Sequence, residues 1–387
     1  MHSNDSLYAA YDYIASIEDD TARSEAQQCI GINYNAHGLL SDTHVRTYYK
    51  PIDHMLRDPL HVLIGNGVGN SHIAALINTL RLHRPPIPLA MVQGFVAKFT
   101  LPHRLGKVDD QWLCRNRFGK KWESFSSFAG IMLTMIPIIE TFLAEVVDAS
   151  HPLYPHRLCF TLLSVIVGVC FLGPDDTVPY NDHLRGYITQ YITLFAKLYP
   201  HSCIPKLHHL MHIPDNISFL GKLLSCFVTE RKHRATKRSA LFIFRHIDNT
   251  VVNDMVNRQC AAIQDNTNSL FQSKFMVAPK TCNLAGTSFR RSKEAVIGCG
   301  LLRTGDIICM SANRLGKLVW FWSYQGNAVI SAHVELYEKV SMCRWSTSNP
   351  TTSIVDTDCI IDACMYCMEG DESIFVIQPF RLSLPPL

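Results

Sequence analysis

KLHHLMHIPDNISFLGKLLSCFVTERKHRATKRSALFIFRH, residues 206–246, is the stretch whose reading decides the fold. A single acid, Glu230, stands at the edge of a basic block made of Arg231, Lys232, Arg234, Lys237 and Arg238. Leu220, Leu223, Leu224, Phe227 and Val228 recur at helical spacing, which predicts a helix carrying Glu230, preceded by a loop at residues 214–216. Two readings of Glu230 stay open: an ordinary surface ion pair on a solvated basic helix, or a metal-binding carboxylate beside a phosphate-facing surface. His208 and His212 share a helical face, so they and His209 are candidates both for packing and for metal ligation.

Composition narrows the classes. The chain has 387 residues and a formal charge of only +3, so nucleic-acid affinity has to come from local basic patches. Its 14 cysteines follow no regular framework, and Cys159, Cys170, Cys226 and Cys309 sit in apolar runs. That pattern predicts buried free thiols in a reducing compartment. The polar start argues against a signal peptide, and the apolar run at 158–172 falls short of the ~20 residues a membrane span needs. No membrane partner is expected.

Taken in order, residues 6–29 read as a helix, and a polar loop at 33–38 leads to an extended, tyrosine-bearing segment ending at Pro51. A short extended segment around Asp58-Pro59-Leu60-His61 precedes the glycine cluster at 65–70 and a periodic helix to about Leu82. That cluster lacks both the Lys-Ser/Thr of a phosphate loop and the dinucleotide spacing. Residues 89–200 read as helical, with apolar segments at 122–147, 157–172 and 181–199. A helix at 250–275 and a polar linker at 277–296 come next, then short alternating runs that predict a small β module, SH3-like or another compact barrel. Within it Trp320-Phe321-Trp322 should alternate, with Phe321 the exposed member. Cys364 and Cys367 invite a zinc reading, but no partner pair lies at suitable spacing and strand alternation explains them as core, so no zinc is expected.

Several of these motifs carry a resemblance. Gly31-Ile32-Asn33-Tyr34-Asn35-Ala36-His37-Gly38-Leu39-Leu40-Ser41-Asp42 precedes Asp58-x-x-His61. The elements Lys206–His212, Gly221–Leu223 and Glu230–His233 follow in that order. The set resembles the CACTA (EnSpm) class of cut-and-paste DNA transposases, in particular the transposon-like proteins of dinoflagellate genomes, over roughly residues 30–260.

The resemblance implies an RNase H-like catalytic core interrupted by a helical insertion. It implies an Asp-Asp-Glu triad holding Mg2+ or Mn2+, with Asp58 as the second acid, Glu230 as the third, and His61 orienting or packing beneath Asp58. DNA is the implied partner and the nucleus the implied compartment. The basic residues 231–238 would contact the phosphate backbone, and homo-oligomerisation is left open. The family's first aspartate has no counterpart here: Asp19, Asp20, Asp42 and Asp53 all lie in the wrong context. A chain truncated at its N-terminus and catalytically incomplete is therefore expected, with a non-catalytic DNA-binding or protein-interaction scaffold as the alternative.

The expected fold is α+β: a partial RNase H-like core with a large helical insertion and a small C-terminal β-barrel-like module. In segments, 1–85 carries the core remnant, 86–203 the helical insertion, 204–276 the basic helical segment, 277–298 the linker and 299–381 the β module.

Overall fold

Side chains that cap backbone N–H groups set the start of the chain. Ser3 caps α1 (Asn4–Ser16), Asp19 accepts from the Ala22 N–H to cap α2 (Asp20–Ile30), and Asp42 accepts from His44 and Val45 to cap α3 (Thr43–Tyr48). A four-residue α4 (Pro51–His54) follows. The segment expected as one helix is thus two, divided where Asp19 supplies a new cap. The tyrosine-bearing segment expected to be extended is helical for the same reason, with Asp42 starting α3. Gly31 ends α2 in the left-handed region at φ 77°. Tyr11, Ile14 and Ile32 form a small core, and the Tyr11 hydroxyl donates to the Asn35 carbonyl at 2.6 Å.

The computed structural model describes residues 3–54, 56–109, 111–172, 176–226, 252–253, 256–257, 274–284, 287–297, 300–324, 329–341 and 343–377. They fall into two units, Met1–Arg57 and Asp58–Leu387.

The second unit opens with a π-helical turn, Leu60–Ile64, not the extended segment expected there. Four of its five residues, Leu60, Val62, Leu63 and Ile64, are buried, which a strand with one solvated face would not allow. Next come α5 (Val68–Leu82), α6 (Leu89–Ala97), α7 (Ala129–Val146), α8 (Tyr154–Cys170), α9 (Asn181–Leu198), α10 (Lys206–Met211) and α11 (Ile213–Leu220). Helix α7 runs through Pro137, and its Thr141 hydroxyl bonds back to the Pro137 carbonyl at 2.9 Å. The core is aromatic at its centre, with Phe142, Phe160, Tyr191 and Phe195 fully buried. The loop expected at residues 214–216 is instead the first turn of α11, because Pro214 occupies an opening helical position that needs no N–H donor. Gly221, at φ 65°, then ends that helix, so residues 221–226 are not the helical run expected.

Among the described residues no β-strand precedes Phe275, so the catalytic sheet expected beside Asp58 is not found there. All strands lie toward the C-terminus: β1 (Phe275–Val277), β2 (Lys280–Leu284), β3 (Thr287–Ser292), β4 (Glu294–Ile297), β5 (Gly300–Arg303), β6 (Ile307–Met310), β7 (Arg314–Tyr324), β8 (Ser331–Lys339), β9 (Arg344–Asp356), β10 (Ile360–Ala363), β11 (Met365–Met368) and β12 (Ser373–Ile377). The expected linker at 277–298 is therefore largely strands. Its polar alternation reflects β2 and β3 exposing Lys280, Arg290 and Arg291 at a sheet margin.

Among the described residues all strand pairings are antiparallel. β1-β4-β5 form one sheet, while the larger follows β10-β6-β7-β8-β9-β12-β11, with β3 and then β2 added beside β7. The path has two unjoined ends, so this is an open sheet and not the closed barrel expected. The small sheet covers one face of the large one through Ala295, Ile297 and Leu302 against Leu318, Phe321 and Val334. The segment after α6 ties the sheet to the helices. Thr100 bridges Tyr366, Arg104 pairs with Asp362 at 2.6 Å, and the His103 ring bonds buried Asp306 at 2.8 Å.

Candidate functional site

Asp58 and His61 stand at the start of the π turn, and the sequence there dictates the geometry. Pro59 begins the helical winding, and the Asp58 carboxylate caps it. Its Oδ1 accepts from the Leu60 N–H at 3.2 Å, its Oδ2 from the His61 N–H at 3.2 Å, and its backbone carbonyl from the Val62 N–H at 3.0 Å. The His61 ring Nδ1 faces Oδ2 directly. From the far side, the Cys226 N–H donates to Oδ1 at 3.0 Å across 168 residues of sequence. Burial alone would raise the Asp58 pKa. The hydrogen bonds from Cys226, the His61 ring, Leu60 and His61 outweigh that and hold it below the ordinary carboxylate value. The Asp58 side chain is 17% exposed and that of His61 52%.

Sequence elements far apart meet at this turn. A Cβ on Gly67 would stand 2.3 Å from the Val62 carbonyl oxygen and 2.5 Å from the Leu63 carbonyl carbon, so only glycine lets α5 start against the turn. The Gly67 N–H donates to Asn70 Oδ1 at 3.0 Å, and the Asn70 amide donates to the Phe125 carbonyl at 3.2 Å. The glycine cluster thus serves packing. Lys206, the first residue of α10, donates to the Asn66 carbonyl at 2.9 Å and the Gly65 carbonyl at 3.3 Å. Burial lowers its ammonium pKa. The Asp58-x-x-His61 segment, the glycine cluster and the start of the histidine-rich stretch therefore form one structural neighbourhood.

A carboxylate oxygen of Asp58, a ring nitrogen of His61 and the sulfur of Cys226 all lie within 4.8 Å of one another. Cys226 carries no motif, and its distance in sequence hid it. Glu230, the proposed third acid, and the basic residues Arg231, Lys232, Arg234, Lys237 and Arg238 lie outside the described residues. So do the predicted helix around them and most of the helix expected at 250–275; at its end, Phe275 begins a strand. Asp19 and Asp42 are helix caps and Asp20 pairs with Arg23 at 2.7 Å, so each has a local structural role. His208 is exposed, whereas packing was one expected role. Its Nε2 meets the Nε2 of His212 at 3.1 Å, and the buried residues of α10 are Leu207 and Leu210.

A second candidate surface lies on the large sheet. Phe321 is fully buried, not exposed as the simple alternation predicted. A bulge between Leu318 and Trp320 shifts the phase, so Leu318 and Phe321 both point into the core and Trp320 and Trp322 turn outward. On that outer face the Arg291 guanidinium stacks 3.7 Å from the Trp320 ring centre, and His333 meets the same ring edge-on at 4.6 Å. Arg291 sits directly across from Lys280, two like charges on neighbouring strands. With Lys293, Cys282 and Glu294 they line a cleft of about 530 Å³, Glu294 being paired with Arg303 at 3.1 Å. Strand alternation at 280–292, had those residues been read as strands, would have revealed this cationic row.

Cys364 and Cys367 are both buried but belong to different clusters, Cys364 with Cys309 in the sheet and Cys367 in the helical core. They do not form one ligand pair. Among the described residues no disulfide is formed, and burial pushes the thiol pKa of Cys159 and Cys170 up to about 12. Comparison with known protein families, with curated proteins and with solved structures finds no match.

Proposed function

We propose that this chain is a transposase-derived, catalytically incomplete DNA-binding scaffold that grips the phosphate backbone. The observation that carries the binding is the outer face of the large sheet. Lys280 and Arg291 lie directly opposite each other, a like-charge placement that a bound anion would relieve. Among the described residues neither forms an ion pair. Trp320 holds the Arg291 guanidinium by stacking, which pre-orders a planar fork suited to a phosphate. Phosphate contacts of this kind position a protein on DNA without reading sequence. The basic stretch 231–238, which lies outside the described residues, offers further phosphate-binding charge, and the compartment on this reading is nuclear.

Descent from an RNase H-like transposase rests on the ordered motifs, of which Asp58-x-x-His61 and the start of Lys206–His212 lie in one neighbourhood around the π turn. The ancestral reaction is another matter. Two-metal strand transfer needs several carboxylates facing hard cations, and the described cluster at Asp58 offers one carboxylate beside an imidazole and a thiol. We therefore assign the scaffold and not the strand transfer. The test is binding of labelled duplex DNA together with a nicking assay in Mg2+ or Mn2+. Salt-sensitive binding without nicking is expected. Metal-dependent nicking lost in both Asp58→Ala and Glu230→Ala would overturn the non-catalytic reading, and failure to bind DNA would overturn the scaffold.

A further inference from the structure

We propose that Asp58, His61 and Cys226 form a binding site for a borderline-soft divalent ion of the zinc class, which clasps the π turn to the segment following α11. The three side chains present one oxygen, one nitrogen and one sulfur donor, all within 4.8 Å of one another. Thiolate, imidazole and carboxylate are the donors that such ions take, whereas magnesium prefers oxygen alone. The site is also prepared by the backbone. The bonds from Leu60 and Cys226 to Oδ1 fix the carboxylate on its cap and leave Oδ2 turned toward the His61 ring. The Cys226 N–H bond places that residue against Asp58 before any ion arrives. The ion would add a further link between residues 58–61 and 226 beside the Cys226 N–H bond to Asp58. On binding, the Cys226 thiol gives up its proton to solvent and the thiolate sulfur joins the metal. The coordination sphere would be completed by water or by a further side chain.

The test is Co2+ titrated into the purified full-length chain after chelator treatment, followed by absorption. Wild type is expected to show a thiolate-to-cobalt charge-transfer band saturating at one equivalent. Cys226→Ser should lose that band, Cys364→Ser should keep it, and Asp58→Asn should weaken binding by at least the roughly 10-fold that loss of an outer-shell partner costs. The neighbouring pair His208 and His212 could take up Co2+ through nitrogen alone, so the sulfur band is the deciding readout. A wild-type titration without the band, or a band that survives in Cys226→Ser, would overturn the site. A second measurement needs no variant: Zn2+ should slow alkylation of Cys226 by iodoacetamide in wild type, followed by mass spectrometry. Unchanged alkylation at saturating Zn2+ would equally overturn it.

Discussion

Lowering the pH should unfold this protein through His72, and the structure sets the size of the effect. The residue is fully buried in α5, its Nδ1 meets the Tyr191 hydroxyl at 3.1 Å, and Phe160 and Phe195 stand edge-on at 5.1 Å. Burial, with a smaller push from His156, takes its pKa from 6.5 down to about 3. The native ring therefore stays neutral at pH values where the unfolded chain already binds a proton. Stability from this group is complete above pH 6.5 and declines as pH falls toward 3. At about 1.36 kcal/mol per pH unit, the drop from 6.5 to about 3 corresponds to a loss on the order of 4 kcal/mol by pH 3. By pH 4.5 the loss is already about 3 kcal/mol.

The assay is urea unfolding at several pH values between 7 and 4.5, for wild type and His72→Leu. The variant loses the Tyr191 hydrogen bond, which offsets its stability at every pH, but it removes the titrating ring. The pH dependence of wild type should exceed that of His72→Leu by the amount above. Parallel curves for the two proteins would refute a buried neutral histidine at this position.

Three further outcomes follow from the geometry. Gly67→Ala drives a methyl into the Val62 and Leu63 backbone, which cannot swing aside as a side chain could. It should cost about 1–3 kcal/mol or prevent folding, read by thermal unfolding, and a neutral effect would contradict the close approach of α5 to the π turn. Asp58→Ala removes the cap and its link to Cys226, with an expected loss of about 1–2 kcal/mol at pH 7. Because the folded pKa of Asp58 is lowered, its contribution is present above pH 3.8 and disappears as pH falls further, so the variant and wild type should converge in acid. In the sheet, Phe321→Ser should destabilise by several kcal/mol and Trp320→Ser by much less, and the reverse order in chemical denaturation would contradict the bulge-shifted register.

The helical half of the fold was readable where apolar periodicity is long and uninterrupted. Residues 68–82, 157–172 and 181–199 correspond to α5, α8 and α9, because a stripe of Leu, Ile and Phe every three or four residues has few alternative explanations. Signals that depend on a single residue misled. Pro214 reads equally as a breaker and as a helix opener, and the buried fit of its helix decided for the latter. Simple alternation puts Phe321 on the wrong face because a bulge leaves no mark in a run of three aromatic residues. At the site, Asp58 and His61 were recognisable as a pair, but their capping role depends on N–H groups that sequence does not orient. Cys226 reaches them only through the path of the whole helical unit. The row of Lys280 and Arg291 was hidden by its polarity, since strands with a solvated margin resemble linkers.

The most direct test of the central claim is the salt dependence of DNA binding, measured by fluorescence anisotropy of a labelled duplex with wild type and the Lys280→Ala/Arg291→Ala double variant. Each lost phosphate contact lowers the slope of log K against log salt by about 0.9, so the double variant should bind more weakly with a slope reduced by about 2. An unchanged affinity and slope in the double variant would contradict the assignment of this sheet face to the DNA backbone.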